Sequence, residues 1–293
     1  MIVVPEFFAE RLVSMEPAAR TWLDGLPELA ARYAERWELR FEGAPMHGYG
    51  GLVLPAVRTD GSRVVLKLGH LTAETLDEPV ALTAWAGNGA VRLLDSDAEH
   101  GALLLERLDP TRSLEFEPID DAVRIISVLL RRLAIPVPPG ISRDLRAEAE
   151  RLVTELPKDW QRLGAPFPRK MLDAAVDVCA QLGPSAQRLL VNEDLHYENV
   201  LGGTREPWLV IDPQPLAGDL EFTTLSLLWN RRTESALDDR FAAVVDIAGL
   251  DPDRARAWTL VRAVQNWLWF VEDGATEDFG WPAVQAIAPW AMR

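Results

Sequence analysis

The chain has 293 residues, 48% of them hydrophobic, a formal net charge of −15 and one cysteine, Cys179. That size allows one large domain or two lobes, the charge opposes a nucleic-acid partner, and a lone cysteine excludes an intramolecular disulfide framework. No apolar run approaches the ~20 residues of a membrane span, and "MIVVPEFFAERL" lacks the basic start of a signal peptide, so a cytoplasmic protein without membrane contact is expected.

Residues 6–36 read as helical, with Pro17 and Pro27 at first-turn positions. The period then changes. "GLVLPAV" (51–57), "TDGS" (59–62) and "RVVLKLG" (63–69) read as strand, tight turn and strand. A helix is predicted over 72–86, and short strands over 91–94 and 102–108. After Asp109 the pattern turns mostly helical. In "PIDDAVRIISVLLRRL" Val123, Ile126, Leu130 and Leu133 recur at helical spacing, between an acidic first turn and a basic last one. Further helices are predicted over 142–156, 168–182, 219–231, 236–249, 252–273 and 281–291, interrupted by a β-rich interlude over 187–213. The expected fold class is α+β: a small lobe (1–108) with an antiparallel sheet, a larger helical lobe (109–293), and a cleft between them.

The interlude holds the densest chemistry, "VNEDLHYENVLGG" (191–203). Asp194 is followed five residues later by Asn199, and the strand "WLVID" ends at Asp212. If 199–201 and 208–211 pair as a hairpin, these three oxygen-bearing side chains converge. Mg²⁺ prefers hard oxygen ligands and keeps positions for phosphate and water. Asn199 and Asp212 could hold it, leaving Asp194 to orient an attacking hydroxyl and accept its proton, the order found in phosphoryl transfer. Lys67, in the otherwise apolar "VVLKL", is the candidate for the phosphates, and Glu74 and Glu78 can both reach it from the next helix. Sequence does not choose between them; Glu78 is preferred. "HGYGGLVLP" (47–55), with Gly50 and Gly51, suits a loop covering phosphates, and "LLLERLD" (103–109) offers backbone near Glu106 and Leu108 to an adenine edge. His196 has no partner at metal-ligand spacing, so zinc is disfavoured and a structural hydrogen-bonding role is expected. Glu193 and Glu198 are expected to be peripheral.

"DLHYENVL", "REPWLVIDPQPLAGD" and "AVRLLD…ALLLERLD" resemble the streptomycin 6-phosphotransferase family, grouped with aminoglycoside and hydroxyurea antibiotic resistance kinases in the protein-kinase-like fold. The resemblance runs over nearly the whole chain, including "LPELAARYAERWEL" (26–39) and "WTLVRAVQNWLWFVEDG" (258–274). It implies a bilobal, ATP- and Mg²⁺-dependent kinase phosphorylating a hydroxyl of streptidine, with Asp194 as base, Asn199 and Asp212 as metal ligands and Lys67 on the phosphates. The chain departs from the pattern at Asn192-Glu193, where the family commonly has His-Gly, and after "AGD" (217–219), which puts polar contacts near Thr223 and Thr224 in question. Neither D-F-G nor A-P-E occurs, against a protein kinase.

Streptomycin carries two guanidinium groups and an amine, so its site should present carboxylates and aromatic faces. Trp269, Glu272 and Asp273 near the end of the late helix are the expected cation contacts, with Asp219 further along the cleft. The alternatives are a same-fold kinase for another metabolite, such as an amino sugar or hydroxyurea, and a nucleotide-binding pseudokinase. The expected partners are ATP and a cationic small molecule, on a monomer.

Overall fold

The computed structural model describes residues 2–48, 50–275 and 280–293. Helices α1 (Glu6–Met15) and α2 (Ala19–Arg36) lead into a six-stranded antiparallel sheet of β1 (Leu39–Phe41), β2 (Met46–His47), β3 (Gly51–Arg58), β4 (Arg63–Gly69), β5 (Leu93–Asp97) and β6 (Ala102–Glu106). Its order is β1-β3-β4-β6-β5, with β2 paired to the outer part of β3. Helix α3 (Ala73–Trp85) lies between β4 and β5. Its N-cap Thr72 and Thr75 form a reciprocal capping box, which fixes where the helix starts.

Strand alternation explains which residues face the cleft. Val64, Leu66 and Leu68 of β4 pack with Leu52, Leu54 and Ala56 against α1 and α2. The opposite face carries Val65 and Lys67, paired across the sheet with Leu105 and Leu103 and with Pro55 and Val53. Both faces are covered, so β4 reads as a nearly continuous apolar run. Pro27 lies in the interior of α2 rather than in a first turn. The buried stripe Leu23, Leu26, Ala30 and Tyr33 holds that helix to the sheet and outweighs the hydrogen bond that a proline removes.

The second part begins with β7 (Asp109–Ser113), α4 (Ile119–Leu133), β8 (Ile135–Pro136), α5 (Leu145–Arg162) and α6 (Arg169–Leu182). Then come β9 (Leu189–Asn192), β10 (Val200–Gly202), β11 (Leu209–Val210) and β12 (Pro215–Gly218), followed by α7 (Thr224–Trp229), α8 (Leu237–Ala248), α9 (Pro252–Glu272) and α10 (Gly280–Ala291). Two small sheets, β11-β10-β7 and β12-β9-β8, flank the segment that holds Asp194 and Asn199. Among the described residues no helix is long and apolar enough to cross a membrane.

Three local expectations shift. The strand expected over 91–94 runs over Leu93–Asp97, because Val91 N–H is taken by the Val210 carbonyl at 2.8 Å. The helix expected over 219–231 is a 3-10 turn, Leu220–Thr223, and then the short α7. The Thr223 and Thr224 hydroxyls donate to the Leu220 and Glu221 carbonyls, and both residues are fully buried, so neither meets the cleft. Helix α5 runs through Pro157 to Arg162, past the predicted end at 156, with Leu145, Ala149, Leu152 and Leu156 burying one face.

Candidate active site

The predicted hairpin forms, with Val200 opposite Val210 and Leu201 opposite Leu209. Ile211 N–H donates to the Asn199 carbonyl at 2.9 Å, so Asn199 and Asp212 lie side by side where the ribbon opens. The loop between β9 and β10 is latched by Asn192, whose Oδ1 accepts from the Asp194 and Gln214 amides at 3.2 and 2.9 Å. Asn199 Nδ2 donates to the Asp194 carbonyl at 3.3 Å, which leaves its Oδ1 as an acceptor for a cation. Asp212 sits at φ 49°, a left-handed conformation that aspartate tolerates better than most residues. Gln214 Nε2 and His196 Nε2 lie 3.4 and 3.7 Å from Asp194 Oδ2. Burial pushes the Asp194 carboxyl up to about 7; Arg262 opposes this, and Asp212, Glu193 and Glu198 add to it.

Lys67 reaches across the cleft. Its Nζ lies 2.7 and 2.6 Å from the Glu78 carboxylate oxygens and 2.5 Å from Asp212 Oδ1. Burial alone would lower the lysine pKa, but Asp212 and Glu78 overcome it and keep the ammonium charged. The ammonium in turn holds Asp212 below the usual carboxylate range. Burial pushes Glu78 upward. The choice left open by sequence falls on Glu78, because Glu74 faces Arg143 instead, at 3.5 Å. Helix α3 is set by its capping box and by Asp77, which accepts from the Ser142 and Arg143 amides ahead of α5. One helix thus fixes the ion pair and ties the sheet to the segment below it.

These groups open onto a cleft of about 1340 Å³. Val53, Val65, Leu105 and Leu108 line its sheet end, beside Glu106, whose carboxylate accepts from the Arg92 amide and Arg205 Nη2. Trp229, Trp269, Phe270 and Asp273 line the far end with Glu148. Among the described lining residues, nine carry carboxylates and six are Lys or Arg, so the wall is net negative and favours a cation.

Several expected site residues fall elsewhere. Asp219 is fully buried and does not line the cleft; its carboxylate accepts from Gln187 N, Arg254 Nε and Trp258 Nε1 at 2.8, 2.7 and 2.8 Å. Glu272 points away from the cleft to Arg162, 2.8 Å distant, because the last turn of α9 presents Trp269 and Asp273 to the opening instead. Gly50 and Gly51 belong to the turn that Gly48 N–H closes on the Gly51 carbonyl, and neither is among the residues that line the cleft. The glycine that matters is Gly48, where a Cβ would stand 2.8 Å from Asp212 Oδ2. Glu193 is not peripheral: it is buried and bridges Arg143 Nη2 (2.5 Å) and Arg262 Nη1 (3.1 Å). His196 does not tie the loop by ring hydrogen bonds, since its buried Nδ1 has no partner and burial lowers its pKa. Sequence reasoning also missed Arg143, Arg262 and Gln214. The Pro-flanked "IDPQP" was a signal for Gln214, as was "NED" for a charged residue beside the loop; nothing local marked the two arginines.

A family model described as aminoglycoside/hydroxyurea antibiotic resistance kinase matches residues 36–274. The chain belongs to that family. It is a phosphotransferase acting on a hydroxyl group, with an α+β, protein-kinase-like fold. The kinase is 45% identical over 261 residues to a hydroxyurea phosphotransferase of Kitasatospora aureofaciens, covering 88% of this chain and 76% of that one. It is 42% identical over 287 residues to a streptomycin 6-kinase of Streptomyces griseus, covering 94% and 93%. Among solved structures it is similar to an aminoglycoside phosphotransferase in complex with ADP and hygromycin B (TM-score 0.62, 15% identity, 88% and 97% covered). A choline kinase from Streptococcus pneumoniae follows (TM-score 0.57, 15% identity, 91% and 98% covered). At such identities these two likenesses speak for the fold alone.

Proposed function

We propose that this kinase is an ATP- and Mg²⁺-dependent streptomycin phosphotransferase acting on a hydroxyl of the streptidine ring. The observation that carries the reading is the net-negative wall of the cleft, which holds Asp194 together with Trp229, Trp269 and Phe270. A guanidinium pairs with carboxylates and stacks on indole faces. Asp273 and Trp269 line the cleft and offer such groups, whereas Glu148 is already paired with Arg151.

In this reading Asp194 orients the acceptor hydroxyl and takes its proton, and its raised pKa suits a base working near neutrality. Lys67, fixed by Glu78, engages the phosphates, and the strand end from Leu105 to Leu108 borders the adenine. The donor set suits magnesium: the Asp212 carboxylate and the Asn199 amide oxygen are hard oxygen donors beside each other, under the close approach of Gly48. When bound there, Mg²⁺ supplies positive charge to the phosphate oxygens.

A second reading, hydroxyurea as acceptor, is favoured by the name of the relative at 45% identity. The cleft volume and its acidic wall favour the larger, cationic substrate. The test is kcat/KM for each acceptor with Mg-ATP. Streptomycin is expected to exceed hydroxyurea by at least tenfold; the reverse order would reject the proposed substrate while leaving the reaction type intact.

A further inference from the structure

Two asparagines on the cleft wall share one local geometry. Asn230 closes α7 and Asn266 lies inside α9; they are 8% and 7% exposed, and both line the cleft. Asn230 Nδ2 donates to the Ser226 carbonyl at 3.1 Å and Asn266 Nδ2 to the Arg262 carbonyl at 2.8 Å, four residues back in each case. Only an N–H can face a carbonyl in this way, so the bond settles which end of each amide is nitrogen. Both Oδ1 atoms are left without a hydrogen-bond donor among the described residues. A largely buried carbonyl oxygen without a donor is unfavourable. Two of them on one cavity wall mark a place for a ligand that brings donors.

The same two contacts place the amides beside the base. Ser226 Oγ donates to the Glu193 carbonyl at 3.1 Å, and Arg262 Nη1 lies 3.1 Å from Glu193 Oε2. Glu193 immediately precedes Asp194 in the chain. Each amide therefore stands about one helical turn beyond a residue that grips the catalytic loop. Trp229 and Phe270, with ring centroids 6.1 Å apart, join the end of α7 to α9. Arg240 Nη1 donates to the Asn230 carbonyl at 2.6 Å and pins that residue where the helix stops.

We propose that Asn230 and Asn266 are substrate-binding residues, whose Oδ1 atoms accept N–H groups of a guanidinium- or ammonium-bearing acceptor while its hydroxyl meets Asp194. The inference rests on the reading of the cleft as a site for a cationic acceptor, and extends it from charged groups to neutral ones.

Neutral amides suit this wall. Further carboxylates here would oppose the ionised form of Asp194 by like-charge repulsion, whereas an amide oxygen accepts from an N–H without adding charge. Trp269 follows Asn266 by three residues and lines the same cleft. A guanidinium stacked on that indole keeps its in-plane N–H donors free for an amide oxygen.

The test is equilibrium binding of streptomycin and of Mg-ATP to the full-length protein, for wild type and for alanine and aspartate variants at both positions, with a thermal melt of each. Loss of one hydrogen bond to a charged group should weaken streptomycin by about ten- to a hundredfold in Asn230→Ala and Asn266→Ala. Mg-ATP affinity should stay unchanged. Aspartate keeps the accepting oxygen but cannot donate to the carbonyl four residues back, so Asn230→Asp and Asn266→Asp should bind streptomycin more tightly than the alanine variants. Aspartate variants as weak as the alanine ones would mean that the amides only brace their helices, and would overturn the proposal. So would equal weakening of streptomycin and Mg-ATP, or wild-type streptomycin affinity in both alanine variants. If wild-type protein does not bind streptomycin at all, the proposed substrate fails first and takes this proposal with it.

Discussion

Asp219→Asn separates a structural carboxylate from a substrate contact. The wild-type side chain is fully buried and accepts three hydrogen bonds, from the Gln187 amide, Arg254 Nε and the Trp258 indole N–H, inside an ion pair with Arg254. It fastens the start of α9 to the segment before β9, and Arg254 is itself only 19% exposed. The substitution keeps the shape but removes the charge, and it turns an amide N–H₂ toward donors. Breaking a buried ion pair from one side costs about 3–5 kcal/mol; the amide keeps one acceptor oxygen, so about 3 kcal/mol is expected. For a chain of this size that corresponds to a fall in Tm of about 5–10 °C. The assay is a thermal melt followed by acceptor kinetics at a temperature where the variant is fully folded. There, KM for the acceptor should match wild type. An unchanged Tm with a raised KM would refute the structural role and return Asp219 to the substrate site.

Glu193→Gln should lower Tm by a few degrees, since Arg143 and Arg262 lose their shared carboxylate in a mostly buried setting; a melt within 1 °C of wild type, roughly the effect of a surface change, would count against the bridge. Asp212→Asn should abolish the Mg²⁺ dependence of ATP binding, and an unaltered Mg²⁺ titration would reject Asp212 as a ligand. An acid raised to about 7 holds its proton below that pH and is a carboxylate above it, so kcat/KM should climb through pH 7 as Asp194 ionises; a flat profile between pH 6 and 8, roughly one unit either side, would argue against Asp194 as base. Burial pushes the Cys179 thiol up to about 12, so native protein should resist alkylation at pH 8 while denatured protein reacts.

Much of the fold was legible because its signals are local. The 3.6-residue period of α4, with its charged ends, marked a helix that forms over Ile119–Leu133. The Asp194, Asn199 and Asp212 spacing also marked a hairpin that forms as expected. What sequence could not show were contacts between distant segments. Lys67 joins Asp212 across 145 residues, Arg143 and Arg262 meet on Glu193, and α1 reaches Gly48 through Arg11. Asp219 was misread for the same reason: its neighbours in sequence suggested a cleft residue, but its partners Gln187, Arg254 and Trp258 lie 32 to 39 positions away and enclose it. Short strands such as Pro215–Gly218 escaped notice because they are defined by pairing with β9 and not by any alternation of their own.

The most direct test of the central claim compares wild type with Asp194→Asn in a coupled ADP-release assay on Mg-ATP and streptomycin, with the product weighed by mass spectrometry. Streptomycin-dependent ADP release, matched by a product one phosphoryl group heavier, is predicted for wild type. The variant should bind ATP normally but turn over about 10²–10⁴-fold more slowly. ADP release indifferent to streptomycin, or an Asp194→Asn enzyme as fast as wild type, would contradict the account.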